Sequence, residues 1–340
     1  MKKSKLYLAL LAIVAIVCLL LFRKPVGNGQ RSMIYNEGTV FGTLYHVKYL
    51  YDNDIKAEIE AELQKVDASL SMFNPQSTIS RINRDETDEA DEMLAEVLRL
   101  SFTINEATNG AFDPTVAPLV NAWGFGFKSG QLPDSALVDS LRALVGLSTI
   151  HLNDGKLTKD NPHSILDFSA IAKGYGVDKA AQVLRCHGIE NFMVEIGGEV
   201  VTEGVNEKGS PWRIGINRPD DDSTSTNTEL QDIIDLSDKA IATSGNYRNY
   251  YISDGRKIAH TINPRTGYPA QQDILSSTVM APSCAEADAY ATAFMVLGLE
   301  KAKQVLERQP QLQAYFIYSD EQGGYRTWCT EGFKTLIHNN

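Results

Sequence analysis

Leu166-Asp167-Phe168-Ser169-Ala170-Ile171-Ala172-Lys173-Gly174-Tyr175-Gly176-Val177-Asp178 runs from an extended apolar segment into a helix, through a turn that carries a carboxylate and a lysine. Ser169 or Asp167 is placed to cap that helix, which the pattern carries from about Ile171 to His187 and stops at Gly188. Phe192–Ile196 then reads as a buried strand. Helix and strand in alternation imply α/β packing around one sheet. The same junction suits an anionic ligand, because free N–H groups and the positive helix end meet there and Lys173 adds a point charge. Its plain alternative is a capped helix with a surface lysine. Neither Walker-A nor G-x-G-x-x-G spacing is present.

Working outward toward the N-terminus, Val40–Tyr51 is β-branched and aromatic with a Gly42-Thr43 interruption, which predicts a strand or hairpin. Ile55, Ile59, Leu63, Val66 and Leu70 recur at helical spacing behind a candidate cap at Asp52 or Asn53. Met93, Val97, Leu100 and Ile104 predict another helix, stopped by Asn109-Gly110. Toward the C-terminus, Trp212, Ile214 and Ile216 alternate as in a half-buried strand, and the polar stretch Arg218–Glu229 reads as a mobile surface loop. Ala285–Leu306 predicts one helix and Gln311–Tyr318 one strand. No internal repeat is present.

Across 340 residues, apolar residues make up 43% and charged residues 22%, enough to bury a sizeable core. The formal charge of −11 argues against a nucleic-acid surface, which needs clustered Lys and Arg. A phosphate-bearing ligand would therefore need local help from a metal ion, a helix N-terminus or a few placed cations. Of the four cysteines, Cys18 lies in an apolar run, and Cys186, Cys284 and Cys329 show neither C-x-x-C nor zinc spacing. They read as packing residues.

Lys2, Lys3 and Lys5 precede seventeen uncharged residues from Leu6 to Phe22, followed by Arg23, Lys24 and Pro25. That run is longer than a signal-peptide core of about 7–15 and sits at the short edge of a spanning helix, about 17–25. An uncleaved membrane anchor over 1–24 is the first reading and lipid attachment at Cys18 the second, with 25–33 a tether and the folded domain at 34–340. The Lys cluster favours a cytoplasmic N-terminus and an extracytoplasmic domain.

Several segments carry chemistry in combination. In Ser283-Cys284-Ala285-Glu286-Ala287-Asp288-Ala289-Tyr290-Ala291-Thr292, Asp288 and Thr292 stand four apart on one helical face among small residues, a pair of hard oxygens suited to Mg²⁺. On its own such a pair is usually a solvated or capped helix face. Glu195-Ile196-Gly197-Gly198-Glu199, Thr243-Ser244-Gly245-Asn246-Tyr247 and His260-Thr261-Ile262-Asn263-Pro264-Arg265-Thr266-Gly267 are glycine-bearing turns. The last adds a proton acceptor, His260, and a guanidinium that matches phosphate, Arg265.

Taken in order, these segments resemble the ApbE family of flavin transferases. The resemblance begins at Phe41-Gly42-Thr43 and continues through Ser71-Met72-Phe73-Asn74-Pro75-Gln76-Ser77-Thr78-Ile79-Ser80-Arg81-Ile82-Asn83, Asn109-Gly110-Ala111-Phe112-Asp113-Pro114-Thr115 and Trp123-Gly124. It then takes in the Asp167, Gly197, Ser244, His260 and Asp288 segments, so that it spans roughly Val40–Gly298. It implies an α/β (α+β), T-fold-like mixed-sheet domain with a flavin cleft between two subdomains. It implies Mg²⁺-dependent transfer of the FMN half of FAD to a Ser or Thr hydroxyl of a target protein, with AMP released. FAD is then held by Phe41, Phe73, Ala111, Phe112, Asp113, Asp167, Lys173 and Ile262, with Glu195 a weaker contact. Mg²⁺ is held by the main-chain oxygen of Ala170 and the side chains of Asp288 and Thr292. Lys173, with Arg265 assisting, stabilises phosphate charge, and His260 or Asp288 accepts the proton. Phe41 stands where the family commonly has Met, and Phe73 where it commonly has Tyr, so the latter position lacks a hydroxyl donor. The implied acceptors are extracytoplasmic flavin-binding subunits of Na⁺-pumping NADH:quinone reductase or Rnf-type complexes, which places this chain on the periplasmic side of the inner membrane. Alternative readings are an FAD pyrophosphatase giving FMN and AMP, and a non-catalytic FAD-binding lipoprotein.

Overall fold

The alternating residues of the first strand region close into a hairpin, β1 (Ser32–Val40) and β2 (Thr43–Tyr51), turned at Phe41-Gly42 with both residues at positive φ, 51° and 74°. Those dihedrals are what a two-residue hairpin turn demands, and glycine supplies one of them at no steric cost. β1 starts at Ser32, so the last two residues read as tether already pair in the sheet, Ser32 opposite Tyr51 and Met33 opposite Leu50. The computed structural model describes residues 32–126, 132–219, 229–246, 250–253, 256–320, 322 and 324–338. The apolar run Leu6–Phe22 and most of Arg218–Glu229 lie outside them. Among the described residues no helix is long and apolar enough to cross a membrane.

A long excursion follows β2: helices α1 (Lys56–Leu70), α2 (Thr78–Asn83), α3 (Glu92–Ala107), α4 (Ala117–Ala122) and α5 (Ser135–Arg142), the small hairpin β3 (Ile150–Asn153) and β4 (Lys156–Lys159), and helix α6 (Ala172–Cys186). The chain then returns through β5 (Phe192–Ile196), β6 (Glu199–Glu203), the hairpin β7 (Trp212–Asn217) and β8 (Leu230–Leu236), β9 (Lys239–Gly245), and the hairpin β10 (Tyr250–Ser253) and β11 (Arg256–Ala259). It ends with β12 (Ile274–Ala281), α7 (Cys284–Leu297), α8 (Leu299–Arg308), β13 (Gln313–Ser319), β14 (Tyr325–Cys329) and α9 (Glu331–Lys334).

Eight strands form the main sheet in the order β1-β2-β5-β6-β9-β12-β13-β14, and every pairing in it is antiparallel. The expected mixed sheet is therefore corrected to an antiparallel one in an α+β fold. For the β12–β13 pairing the physical reason is visible in the connection. The predicted single helix over 285–306 breaks at Gly298, whose φ of 76° ends α7 and starts α8. One helix between neighbouring strands returns the chain for a parallel pairing, whereas two reverse it again and give an antiparallel one. Asp273 Oδ1 accepts the Leu299 N–H at 3.0 Å and so caps the new helix.

One face of the sheet packs on helices: Tyr45, Val47, Val194 and Ile196 meet α1 and α6, while Val279, Ala281, Ala314 and Phe316 meet the α3, α7 and α8 side. The other face, through Val200, Ile241, Met280, Tyr315 and Ile317, is covered by Ile216, Ile234 and Leu236 of the β7–β8 hairpin and by Phe333. Helix α7 is buried almost throughout, consistent with its apolar and small residues on every side.

Both predicted caps are corrected. Helix α1 has Ile55 at its N-cap, and it is Asp54, not Asp52 or Asn53, whose carboxylate accepts the Lys56 N–H, at 2.9 Å. Helix α6 has Ile171 at its N-cap, while Asp167 turns back to accept the Ser169 N–H at 2.8 Å. Local Asp and Ser side chains form such turns as readily as caps, which is why composition alone misassigned them. Cys284 is buried as expected, but Cys186, at the end of α6, is exposed.

Asp178 on α6 caps a different helix: its two carboxylate oxygens accept the N–H groups of Cys284 and Ala285, each at 2.9 Å, at the start of α7. Burial pushes this carboxyl up to about 6 against the pull of those two donors. Asp178→Ala leaves two buried donors unsatisfied and should cost about 2–3 kcal/mol, read as a lower urea midpoint at unchanged slope.

Candidate active site

The start of α6, the β5–β6 turn, the end of β9, the 260–264 loop and the middle of α7 converge on one cavity of about 360 Å³. Ala111, Phe112, Asp113, Asp167, Ala170, Lys173, His260, Ile262, Asp288 and Thr292 all line it. A second cavity of about 570 Å³, bordered by Phe41, Met72 and Phe73, meets the first at Ser169 and Lys173. Phe73 is 68% exposed at this mouth. The Phe41 ring lies against Gly176, where an added Cβ would stand 2.4 Å from it, so that glycine makes the ring's seat.

At the centre, α6 and α7 touch. The Gly174 N–H donates to Asp288 Oδ2 at 3.1 Å, and a Cβ on Gly174 would lie 2.2 Å from the Cys284 carbonyl oxygen. Gly174 stands in the first turn of α6, just past the N-cap Ile171, where N–H groups have no acceptor within the helix, and Asp288 supplies one. One turn on from Asp288, Thr292 Oγ1 is 3.0 Å from Ser244 Oγ. Asp288 is only 2% exposed.

Lys173 Nζ lies 3.3 Å from Glu199 Oε1 and 3.8 Å from Asp288 Oδ2. Burial works to lower the Lys173 pKa, but Asp288 and Glu199 together hold it above the ordinary lysine value. Burial pushes the Glu199 carboxyl up, with Lys173 opposing and Asp288 adding to the rise. Burial also raises Asp113 and Asp167. The Asp113 carboxylate is engaged locally, accepting from the Thr115 N–H and hydroxyl at 2.9 and 2.6 Å and from the Leu147 N–H at 3.1 Å. It fixes the turn that presents Ala111 and Phe112. His260 borders the cavity with its ring edge-on to Phe125, centroids 6.3 Å apart.

Two expected residues lie elsewhere. Glu195 is on the opposite face of β5, because Val194 and Ile196 point to the helices and side chains alternate along a strand. Its carboxylate is 2.6 Å from His46 Nδ1 and accepts the Gly198 N–H at 2.6 Å, in a groove with Tyr35, Lys48 and Arg213. The Arg265 guanidinium donates to the Asn109 carbonyl, tying the 261–267 loop to the turn before Ala111 rather than lining the cavity. The residue overlooked is Glu199. Its register partner across the hairpin is Ile196, and directly paired residues share a face, so the alternation that sends Glu195 away brings Glu199 in.

The donor set tests which metal fits. One carboxylate, one hydroxyl and one main-chain carbonyl are hard oxygens, as Mg²⁺ prefers while keeping water or phosphate oxygens in its octahedron. Among the described residues no group of three or more His, Cys, Asp or Glu is gathered for a metal, so a zinc-type ligand set is absent there. Asp288 and Glu199 also bring two carboxylates against one ammonium, a balance that a cation would redress.

Residues 41–316 match the ApbE family, and the chain belongs to that family. Its similarity extends over most of the chain. It is 38% identical to a Haemophilus influenzae protein named FAD:protein FMN transferase, covering 90% of this chain and 92% of that one. A Vibrio cholerae protein of the same name is 36% identical over 90% of this chain and 93% of its own length. Among solved structures, the flavin transferase ApbE of Vibrio cholerae superposes with a TM-score of 0.81 at 35% identity, covering 90% of this chain and 99% of that one. The apo flavinyl transferase ApbE of Pseudomonas stutzeri gives 0.81 at 33% identity, over 92% and 98%.

Proposed function

We propose that this chain is an FAD:protein FMN transferase that works with Mg²⁺, moves the FMN half of FAD to a Ser or Thr hydroxyl of a partner protein and releases AMP. The observation that carries the reading is the meeting of Asp288, Thr292, Ala170 and Lys173 on one cavity wall, in a chain of this family. Asp288, Thr292 and the Ala170 carbonyl would hold Mg²⁺, which when bound supplies positive charge to the phosphate oxygens. The two adjoining cavities, meeting at Lys173, would accommodate the two ends of an extended dinucleotide with its pyrophosphate between them.

In the transfer itself the acceptor oxygen bonds to the FMN-side phosphorus, the bond from that phosphorus to the bridging oxygen breaks, and AMP leaves with the electron pair. Lys173 counters charge on the phosphate oxygens. His260, on the cavity edge, or Asp288 takes the hydroxyl proton. Phe41 and Phe73 offer apolar faces for a ring system in the second cavity. On this reading residues 1–24 anchor the enzyme, or Cys18 carries a lipid, with the domain on the periplasmic side. Its acceptors are flavin-bearing subunits of Na⁺-pumping NADH:quinone reductase or Rnf-type complexes. Sharing one membrane face raises the effective concentration of enzyme and target.

The test follows AMP from FAD with Mg²⁺, with EDTA, and with and without a candidate acceptor domain. AMP that requires both metal and acceptor supports transfer. AMP and free FMN formed equally without acceptor identify a pyrophosphatase, and FAD left intact in every condition removes the enzymatic reading.

A further inference from the structure

Glu199 belongs to no part of the site argued so far except as a neighbour of Lys173, yet its burial is hard to account for otherwise. The residue is 3% exposed, Oε1 is 3.3 Å from Lys173 Nζ, and Oε2 has no hydrogen-bond partner among the described residues. A carboxylate withdrawn from water is costly unless it is paired. Its position is enforced by the backbone. Gly197 and Gly198, at φ 64° and 106°, make the tight β5–β6 turn, and the Ile196–Glu199 register turns the side chain to the helix face opposite the start of α6.

Lys173 needs such a partner. Its stem is flexible, and its side chain is 29% exposed. Asp288 is the weaker hold at 3.8 Å, and its Oδ2 already accepts the Gly174 N–H. With a cation also drawing on Asp288, Glu199 is the one remaining carboxylate within ion-pair distance of the ammonium among the described residues.

We infer that Glu199 is a positioning residue, which pins the Lys173 ammonium at the junction of the two cavities so that it faces the phosphates of the substrate. The inference rests on the flavin-transfer reading for its kinetic consequence, but the Glu199–Lys173 tie can be measured without turnover.

The experiment uses the full chain and the variants Glu199→Gln, Lys173→Ala and the double variant. Turnover of FAD with Mg²⁺ and acceptor is measured for each. In parallel, acylation of Lys173 by an amine-reactive reagent is followed by peptide mass spectrometry without FAD. Glu199→Gln should lower kcat by about tenfold or more with KM for FAD changed far less, and should add less than about twofold to the loss already present in Lys173→Ala, because the two act as one unit. Lys173 acylation should speed up several-fold in Glu199→Gln, a signature that general loosening would spread over the other lysines. Should Glu199→Gln fail to fold, Glu199→Asp, which withdraws the carboxylate by one methylene, is expected to show the same pattern. Wild-type kcat in a folded variant, losses that multiply in the double variant, or unchanged Lys173 acylation would each overturn the inference. A wild-type chain that leaves FAD intact removes the flavin-transfer reading, and the acylation result then decides the Glu199–Lys173 tie by itself.

Discussion

In Asp288→Asn, release of AMP from FAD at saturating Mg²⁺ falls by about 10³-fold while the melting temperature moves by only a few degrees. The asparagine has the same shape and keeps an oxygen for the Gly174 N–H, which now lies 3.1 Å from the carboxylate, so the α6–α7 contact is retained. What disappears is the negative charge, and with it the one anionic donor of a set otherwise made of a hydroxyl and a carbonyl. An ion held by charge is then lost, and the phosphate oxygens keep their charge in the transition state, a loss expected to reach several kcal/mol. Raising Mg²⁺ should restore part of the rate. A coupled AMP assay over a metal titration checks this, and wild-type turnover at ordinary Mg²⁺ would remove Asp288 from the metal site.

Gly174→Ala should be severely destabilising. The new Cβ meets backbone, 2.2 Å from the Cys284 carbonyl oxygen and 2.8 Å from the Ala285 nitrogen, where no rotamer change can make room. Helices α6 and α7 must separate, which breaks the Gly174–Asp288 hydrogen bond and strains the Asp178 caps on Cys284 and Ala285. Overpacking of this kind costs about 3 kcal/mol. The same separation moves Lys173 away from Asp288. The control is Gly176→Ala, whose Cβ meets mainly the Phe41 ring at 2.4 Å, a side chain that can swing aside. Denaturation midpoints should fall much further for Gly174→Ala than for Gly176→Ala. Equal midpoints would contradict the close backbone approach.

Much of the lining of the candidate cavity is legible in the sequence because it lies on strongly patterned elements. Helical spacing put Asp288 and Thr292 on one face, and the strand-to-helix junction put Asp167, Ala170 and Lys173 at one end of α6; the structure brings both groups to one cavity. The errors came from tertiary information. Local composition could not say that Asp178, deep inside α6, caps α7, nor that Gly298 divides a continuous helical pattern into two helices. Glu195 and Glu199 were separable in principle. Period-2 alternation through Val194 and Ile196, followed by a Gly-Gly turn, already sends one carboxylate outward and the other inward.

The most direct measurement is the intact mass of a candidate acceptor domain after incubation with the full chain, FAD and Mg²⁺, with AMP counted in the same reaction. The account predicts a mass gain of one FMN group on the acceptor, localised to a Ser or Thr, with one AMP for each group added and none in EDTA. An acceptor unchanged in mass while FAD is consumed, for every flavin-binding subunit tried, would contradict it.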